Sequence, residues 1–261
     1  MRVLSVQMHG LSQKTGSRSC FCRTAHGEVT FREEKMNKRH ELIPSKVFGR
    51  RLHVWCYGHW GYPILIFPSA AGFAHEWDLH GMVETLAPLI QGGKIKLYCP
   101  ESNISQTWTD KNGHPAERVL RHRVYEHFIT EELVPWIRQD CRNEGIPLGT
   151  TGCSMGGYYA ATFALKHPAI FRYALCMSGR YKLTHFTGGF SNADIYYNNP
   201  LAFVPNLEGN HLEHIKAHTH ITLVCGQGMW EEGCIEETIA LGKIMKHKGI
   251  KFITEFFVPI F

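Results

Sequence analysis

Gly152-Cys153-Ser154-Met155-Gly156-Gly157 lies between the apolar stretch 146–151 and a run of small and apolar residues over 158–165. A serine with a glycine two positions before it and another two positions after it predicts a strand that turns sharply into a helix, because a bulkier residue at either place would hold strand and helix apart. Such a turn strains the serine backbone and lifts the Ser154 hydroxyl clear of the sheet. It also aims the Met155 backbone N–H at the place where a carbonyl oxygen would become negatively charged. The five-residue pattern alone says little. The strand before it and the helix after it give it meaning, and they point to Ser154 as a nucleophile. Cys153, between the turn and the serine, is expected to point inward as a small core residue.

The 261 residues suit one α/β domain with an ample core. No apolar run approaches the roughly 18 residues of a membrane span, so no membrane partner is expected. The net charge of +5 is local: residues 1–40 hold eight Lys/Arg against three Glu, and the remainder is balanced. This excess reads as a disordered basic tail, 1–40, rather than a nucleic-acid face, and no nucleic-acid partner is expected. The tail lacks the apolar core of a secretory signal. The nine cysteines are odd in number and fall largely in strand-like segments, which predicts free thiols and a cytoplasmic location. Cys20 and Cys22 are too close in sequence for a zinc knuckle.

The domain is placed at 41–261. Alternation over 46–58 predicts an antiparallel strand, and the continuous apolar run 62–68 predicts a parallel strand covered on both faces. That run ends in Ser69-Ala70-Ala71-Gly72, whose small residues would let the Ala71 N–H point into a cleft as the second oxyanion donor. A helix is expected over 81–90, a strand over 94–100, and a long helix from Glu117 that Pro135 kinks or restarts. Strand 146–151, helix 154–166 and strand 171–177 form a βαβ unit. The Gly-, Asn- and aromatic-rich excursion at about 179–207 is expected to be irregular and to cap the cleft. His211, His214 and His218 would share a helix face near His220. No carboxylate or cysteine except Glu213, which is expected to point elsewhere, could complete a ligand set, so a solvated face is expected, with no metal and no cofactor. A strand over 221–225, a helix over 234–248 and a last strand over 252–258 complete the chain.

Strands and helices alternating around this elbow resemble the α/β-hydrolase superfamily. More narrowly, Phe67-Pro68-Ser69-Ala70-Ala71-Gly72, the elbow, Tyr196-Tyr197-Asn198-Asn199-Pro200 and Cys225-Gly226-Gln227-Gly228 resemble esterases related to esterase D and to polyhydroxybutyrate depolymerases. The resemblance implies an α/β-hydrolase fold: a mostly parallel sheet flanked by helices on both faces, with a short cap. It implies a serine hydrolase of small-molecule carboxylic esters, with Ser154 as nucleophile and Met155 and Ala71 as oxyanion donors. The acid is implied to follow the strand after the cap. The last of four aspartates is Asp194, so the acid would be a glutamate, Glu231 ahead of Glu232. The implied histidine should follow the last strand, yet no histidine follows His247. The expectation is therefore a truncated, impaired esterase, or a non-catalytic protein binding a small ligand in the former cleft.

Overall fold

The computed structural model describes residues 36–229 and 231–258. The expectations for residues 1–35, Cys20 and Cys22 among them, lie outside the described residues. Eight strands form one sheet: β1 (Lys38–Ser45), β2 (Arg50–Tyr57), β3 (Tyr62–Phe67), β4 (Ile95–Pro100), β5 (Leu148–Cys153), β6 (Phe171–Met177), β7 (His220–Gly226) and β8 (Phe252–Phe257). Their spatial order is β1-β2-β4-β3-β5-β6-β7-β8. β1 pairs antiparallel with β2, and β2 with β4. Every later pairing is parallel. Parallel neighbours need crossover connections, and helices supply them.

The antiparallel end differs from the sequence reading. The strand expected over 46–58 is the second arm of a hairpin: residues 46–49 turn, Gly49 takes φ 63°, and β1 precedes the turn. β1 begins at Lys38, three residues inside the segment assigned to the basic tail. The helix expected over 81–90 is three short helices, Glu76–Leu79, Met82–Thr85 and Ala87–Gln91, broken first at Gly81, which takes φ 72°, and again at Leu86. The long helix runs Pro115–His127, widens into a π-helical turn at Phe128–Leu133, and resumes as Val134–Asp140. Pro135 has no N–H to donate, and the wider turn accommodates that missing bond and the bulk of its ring without ending the helix. The excursion 179–207 is also more regular than its composition suggests. It holds short helices at Thr184–Thr187, Ala193–Asn198 and Pro200–Phe203 and a 3-10 turn at Val204–Asn206.

The main core lies on one face of the sheet. Leu65, Phe67, Leu223 and Ile221 pack there against Tyr159 and Phe163 of the helix Met155–Lys166 and against Leu241 and Met245 of the helix Glu232–Lys248. On the other face the short helices over 76–91 bury Trp77, Val83 and Ile90 against Ile66, Leu97 and Cys99. That cover stops short of the far end. Tyr173, Leu175, Ile253 and Phe257, brought to one face by the β6–β7–β8 register, are between 40% and 57% exposed. Among the described residues, no helix is long and apolar enough to cross a membrane.

Candidate active site

β5 runs directly into the helix Met155–Lys166 with Ser154 at the junction, at φ 58° and ψ −115°. A non-glycine residue at positive φ is strained, and the strained serine of the elbow reading is what the backbone adopts. The glycines around it answer to contact. A Cβ on Gly156 would sit 2.3 Å from the Phe67 carbonyl oxygen, and one on Gly152 would sit 2.6 Å from that oxygen and from the Gly156 backbone. No side chain fits at either place, so strand and helix cross at backbone contact. The Ser154 N–H donates to the Met177 carbonyl at 2.9 Å, which ties the elbow to the end of β6. Among the described residues the Ser154 hydroxyl has no hydrogen-bond partner. Met155 is the first helical residue, so its N–H has no acceptor within the helix.

Cys153 departs from expectation. It is exposed rather than buried, at the carboxyl end of β5. Its thiol pKa is raised, first by the desolvation of its protein-facing side and then by the negative charges of Glu76 and Glu231. A thiol held protonated in this way is a weak nucleophile. Glu76 also accepts from the Ser69 N–H at 3.0 Å and so fixes the start of the loop after β3. Two residues on, the Ala71 N–H leans on the Ser69 hydroxyl at 3.4 Å.

Glu231 precedes the helix Glu232–Lys248, where a carboxylate could have capped the first turn, but it makes no such cap. Its side chain turns back instead. One oxygen accepts a hydrogen bond from the Ser178 hydroxyl, and the other accepts from the Gly228 N–H at 2.9 Å. The carboxylate lies flat on Gly226, where a Cβ would meet it at 2.2 Å. The Gly226 N–H in turn donates to the Ser178 oxygen at 3.3 Å. The Ser178 hydroxyl, then the Gly228 N–H, hold the Glu231 carboxyl pKa below its ordinary value, against a smaller opposing effect of desolvation. Glu232 begins the helix and has no part in this arrangement. Ser178 was not singled out in the sequence. It is itself strained, at φ 44°, and its N–H donates to the Val224 carbonyl at 2.7 Å. The available signal was its place, one residue past the carboxyl end of a parallel strand, where open α/β sheets gather their ligand-handling residues.

No histidine among the described residues hydrogen-bonds Ser154 or Glu231. His75 stacks obliquely on Phe73 at 5.8 Å, and His185 lies 3.5 Å from Glu237. Of the helix-face histidines, His211 bonds the Leu165 carbonyl at 2.8 Å, and His214 packs its ring 4.8 Å from that of His218. The Gln227 N–H donates to the Phe257 carbonyl at 2.8 Å, so β8 leaves the sheet beside the loop that carries Glu231.

The excursion is fastened to the helices beneath it through Asn198. Its side-chain oxygen meets His122 Nε2 at 3.1 Å and Lys166 Nζ at 2.8 Å, and its carbonyl accepts from the Tyr158 hydroxyl at 2.8 Å. Lys166 and His167 both also bond Glu126. Despite its burial, Glu126 is held down to a pKa of about 2 by these partners, while burial pushes His122 down to about 4.

Comparison with known proteins agrees with this geometry. The structure is similar to a ferulic acid esterase, with 18% identity, a TM-score of 0.66, and 86% of this chain and 91% of the other covered. It is similar to an S-formylglutathione hydrolase from Agrobacterium tumefaciens, with 15% identity, a TM-score of 0.65, and coverage of 87% and 91%. It is also similar to the fluorophosphonate-binding serine hydrolase FphF of Staphylococcus aureus, with 15% identity, a TM-score of 0.53, and coverage of 86% and 91%. These likenesses establish the α/β-hydrolase fold. No curated protein matches the sequence. Residues 59–245 match the family described as "Putative esterase", and over that span, which includes the elbow and Glu231, the chain belongs to this esterase family.

Proposed function

We propose that this esterase-family chain hydrolyses small carboxylic esters at the carboxyl edge of its sheet, with Ser154 as nucleophile. The strained Ser154 backbone, with glycines on either side that admit no Cβ, carries this reading. In it the Ser154 oxygen attacks the ester carbonyl, and the Met155 and Ala71 N–H groups receive the developing oxyanion. Ala71 has only to release the long contact to Ser69. Collapse of the tetrahedral species expels the alcohol, and water then releases the acid from the serine ester. Glu231, locked by Ser178 and Gly228, is the acid that would orient a histidine and stabilise its charge. The excursion at 179–207 serves as the cap over this cleft. The free thiols among the described residues support a reducing, cytoplasmic setting.

No histidine among the described residues hydrogen-bonds Ser154, so we infer that they turn over slowly by themselves. Loss of the base from such a triad lowers turnover by about 10⁶, or roughly 8 kcal/mol of barrier. The partnerless Ser154 hydroxyl favours a second reading, a cleft that binds an ester-like ligand without turning it over. Hydrolysis of 4-nitrophenyl acetate and covalent labelling by a fluorophosphonate, each with and without Ser154→Ala, separate the two. Rapid Ser154-dependent turnover shows that a base reaches the serine, slow turnover with slow labelling fits the impaired esterase, and absence of both leaves the binding reading.

A further inference from the structure

A second cleft, of about 530 Å³, opens at the opposite end of the sheet, where β2 ends and β3 and β4 begin. It lies a strand length, roughly 20 Å, from the elbow, and ester hydrolysis makes no use of it. Its volume is in the range of small-molecule sites. Three cations line it, Arg39, Lys96 and Arg142, against one carboxylate, Asp140.

Two of those charges are answered. Lys96 is 5% exposed, and its Nζ lies 2.7 Å from Asp140 Oδ2. Arg39 contacts the same oxygen at 2.8 Å and Glu41 at 3.0 Å. The Tyr98 hydroxyl also donates to Asp140 Oδ2, at 2.7 Å. The third charge is not answered: among the described residues the Arg142 guanidinium has no hydrogen bond and no ion pair.

Its backbone is the second observation. The helix Val134–Asp140 closes with the Asn143 N–H on the Arg138 carbonyl at 3.0 Å and the Arg142 N–H on the Gln139 carbonyl at 2.9 Å. That is a Schellman turn, and it puts Arg142 at φ 53°, in the left-handed place where glycine is favoured. The chain therefore carries an arginine, strained and unpaired, where the fold asks for glycine, and the side chain lines a cleft already floored by a buried lysine. At the rim Trp60 is 65% exposed, with one side against Gly93. Apolar surface of that size next to a cation suits a flat ring.

We propose that this cleft binds a small organic anion, its carboxylate or phosphate held by Arg142 and its aromatic body laid on Trp60. The test is calorimetric titration of the full chain with phenyl phosphate, benzoate, inorganic phosphate and phenol. One-site saturation is expected for a ringed anion and not for phenol; phenyl phosphate without benzoate identifies a phosphate ester, and the reverse a carboxylate. Arg142→Gly relieves the strain, so it should melt at the same or a higher temperature while weakening binding at least tenfold. Loss of binding in a variant as stable as the parent cannot come from misfolding. Trp60→Ala should weaken the ringed anions and leave inorganic phosphate unchanged. No saturation by any anion up to about 10 mM, or Arg142→Gly binding like the parent, overturns the site. Inorganic phosphate binding as tightly as phenyl phosphate overturns the role of Trp60.

Discussion

At the scale of single residues, the elbow tolerates no added atom on its glycines. Gly156→Ala drives a methyl into the Phe67 carbonyl, a backbone atom that cannot swing aside. Overpacking of this kind destabilises by about 1–3 kcal/mol, a drop of several degrees in melting temperature for a domain of this size. Gly145→Ala, whose added carbon meets nothing closer than 3.8 Å, is the control and should change little. Glu231 offers a test by pH. Its folded pKa lies below the unfolded value of 4.5, so its stabilisation is complete above that value and is lost as pH falls through the folded pKa. Ser178→Gly relieves the strained φ but removes the hydroxyl that most depresses this pKa. NMR titration of the Glu231 carboxyl should then show it move up toward 4.5, and an unmoved titration would show that Gly228 holds the carboxylate without Ser178. Ser154 was legible because its surroundings are local, two glycines within two positions. The Ser178–Glu231 contact was not. It joins residues 53 apart and exists because the register sets Met177 beside Val224, so that Ser178 meets Gly226 just past the strand ends.

At the scale of elements, the excursion 179–207 depends on Asn198. Asn198→Leu removes the partner of the buried His122 Nε2, at about 1–3 kcal/mol, and one of the partners of Lys166, which keeps Glu126. Amide hydrogen exchange over 184–206 should accelerate more than exchange in β5 and β6. The same network sets an acid limit. The His122 pKa falls from 6.5 to about 4 on folding, so the unfolded chain binds the proton more readily, and stability is full above pH 6.5 and declines down to about 4. The Glu126 contribution is then lost between 4.5 and about 2. His122→Phe should flatten the upper part of this decline in a plot of melting temperature against pH and leave the lower part. Sequence periodicity found β6 residue for residue because it is a continuous run between clear breaks. It missed the helices of the excursion because each is four to six residues long, too short for a repeat to register. The π-helical turn was hidden for a related reason: Pro135 signals an interruption, but packing decides whether the chain breaks or widens.

At the scale of the whole molecule, parallel sheets are normally covered on both faces, and this one is bare on one face over β6–β8. An apolar strip bounded by Tyr173 and Phe257 should bind anilinonaphthalene sulfonate in the native state, and Leu175→Thr with Ile253→Thr should lower that fluorescence. Because both side chains are already substantially exposed, melting temperature should change little. Strand alternation alone does not reveal which half of a face is covered. That depends on how far the helices over 76–91 reach across the sheet.

The distribution of thiols across the molecule makes it a gauge of its own state. Among the described residues Cys153 is the one exposed cysteine; Cys56, Cys99, Cys176, Cys225 and Cys234 are buried, and burial pushes Cys56 up to about 12 and Cys234 up to about 11. With Cys20 and Cys22 changed to serine, alkylation by iodoacetamide above pH 9 separates into kinetic classes. The fast class is Cys153, one bond from the elbow serine, and its rate falls when anything occupies the cleft. With the half-buried Cys141 also changed to serine, the slow class is the interior, modified only when the sheet opens, so a single time course reads ligand occupancy from one phase and the frequency of core opening from another.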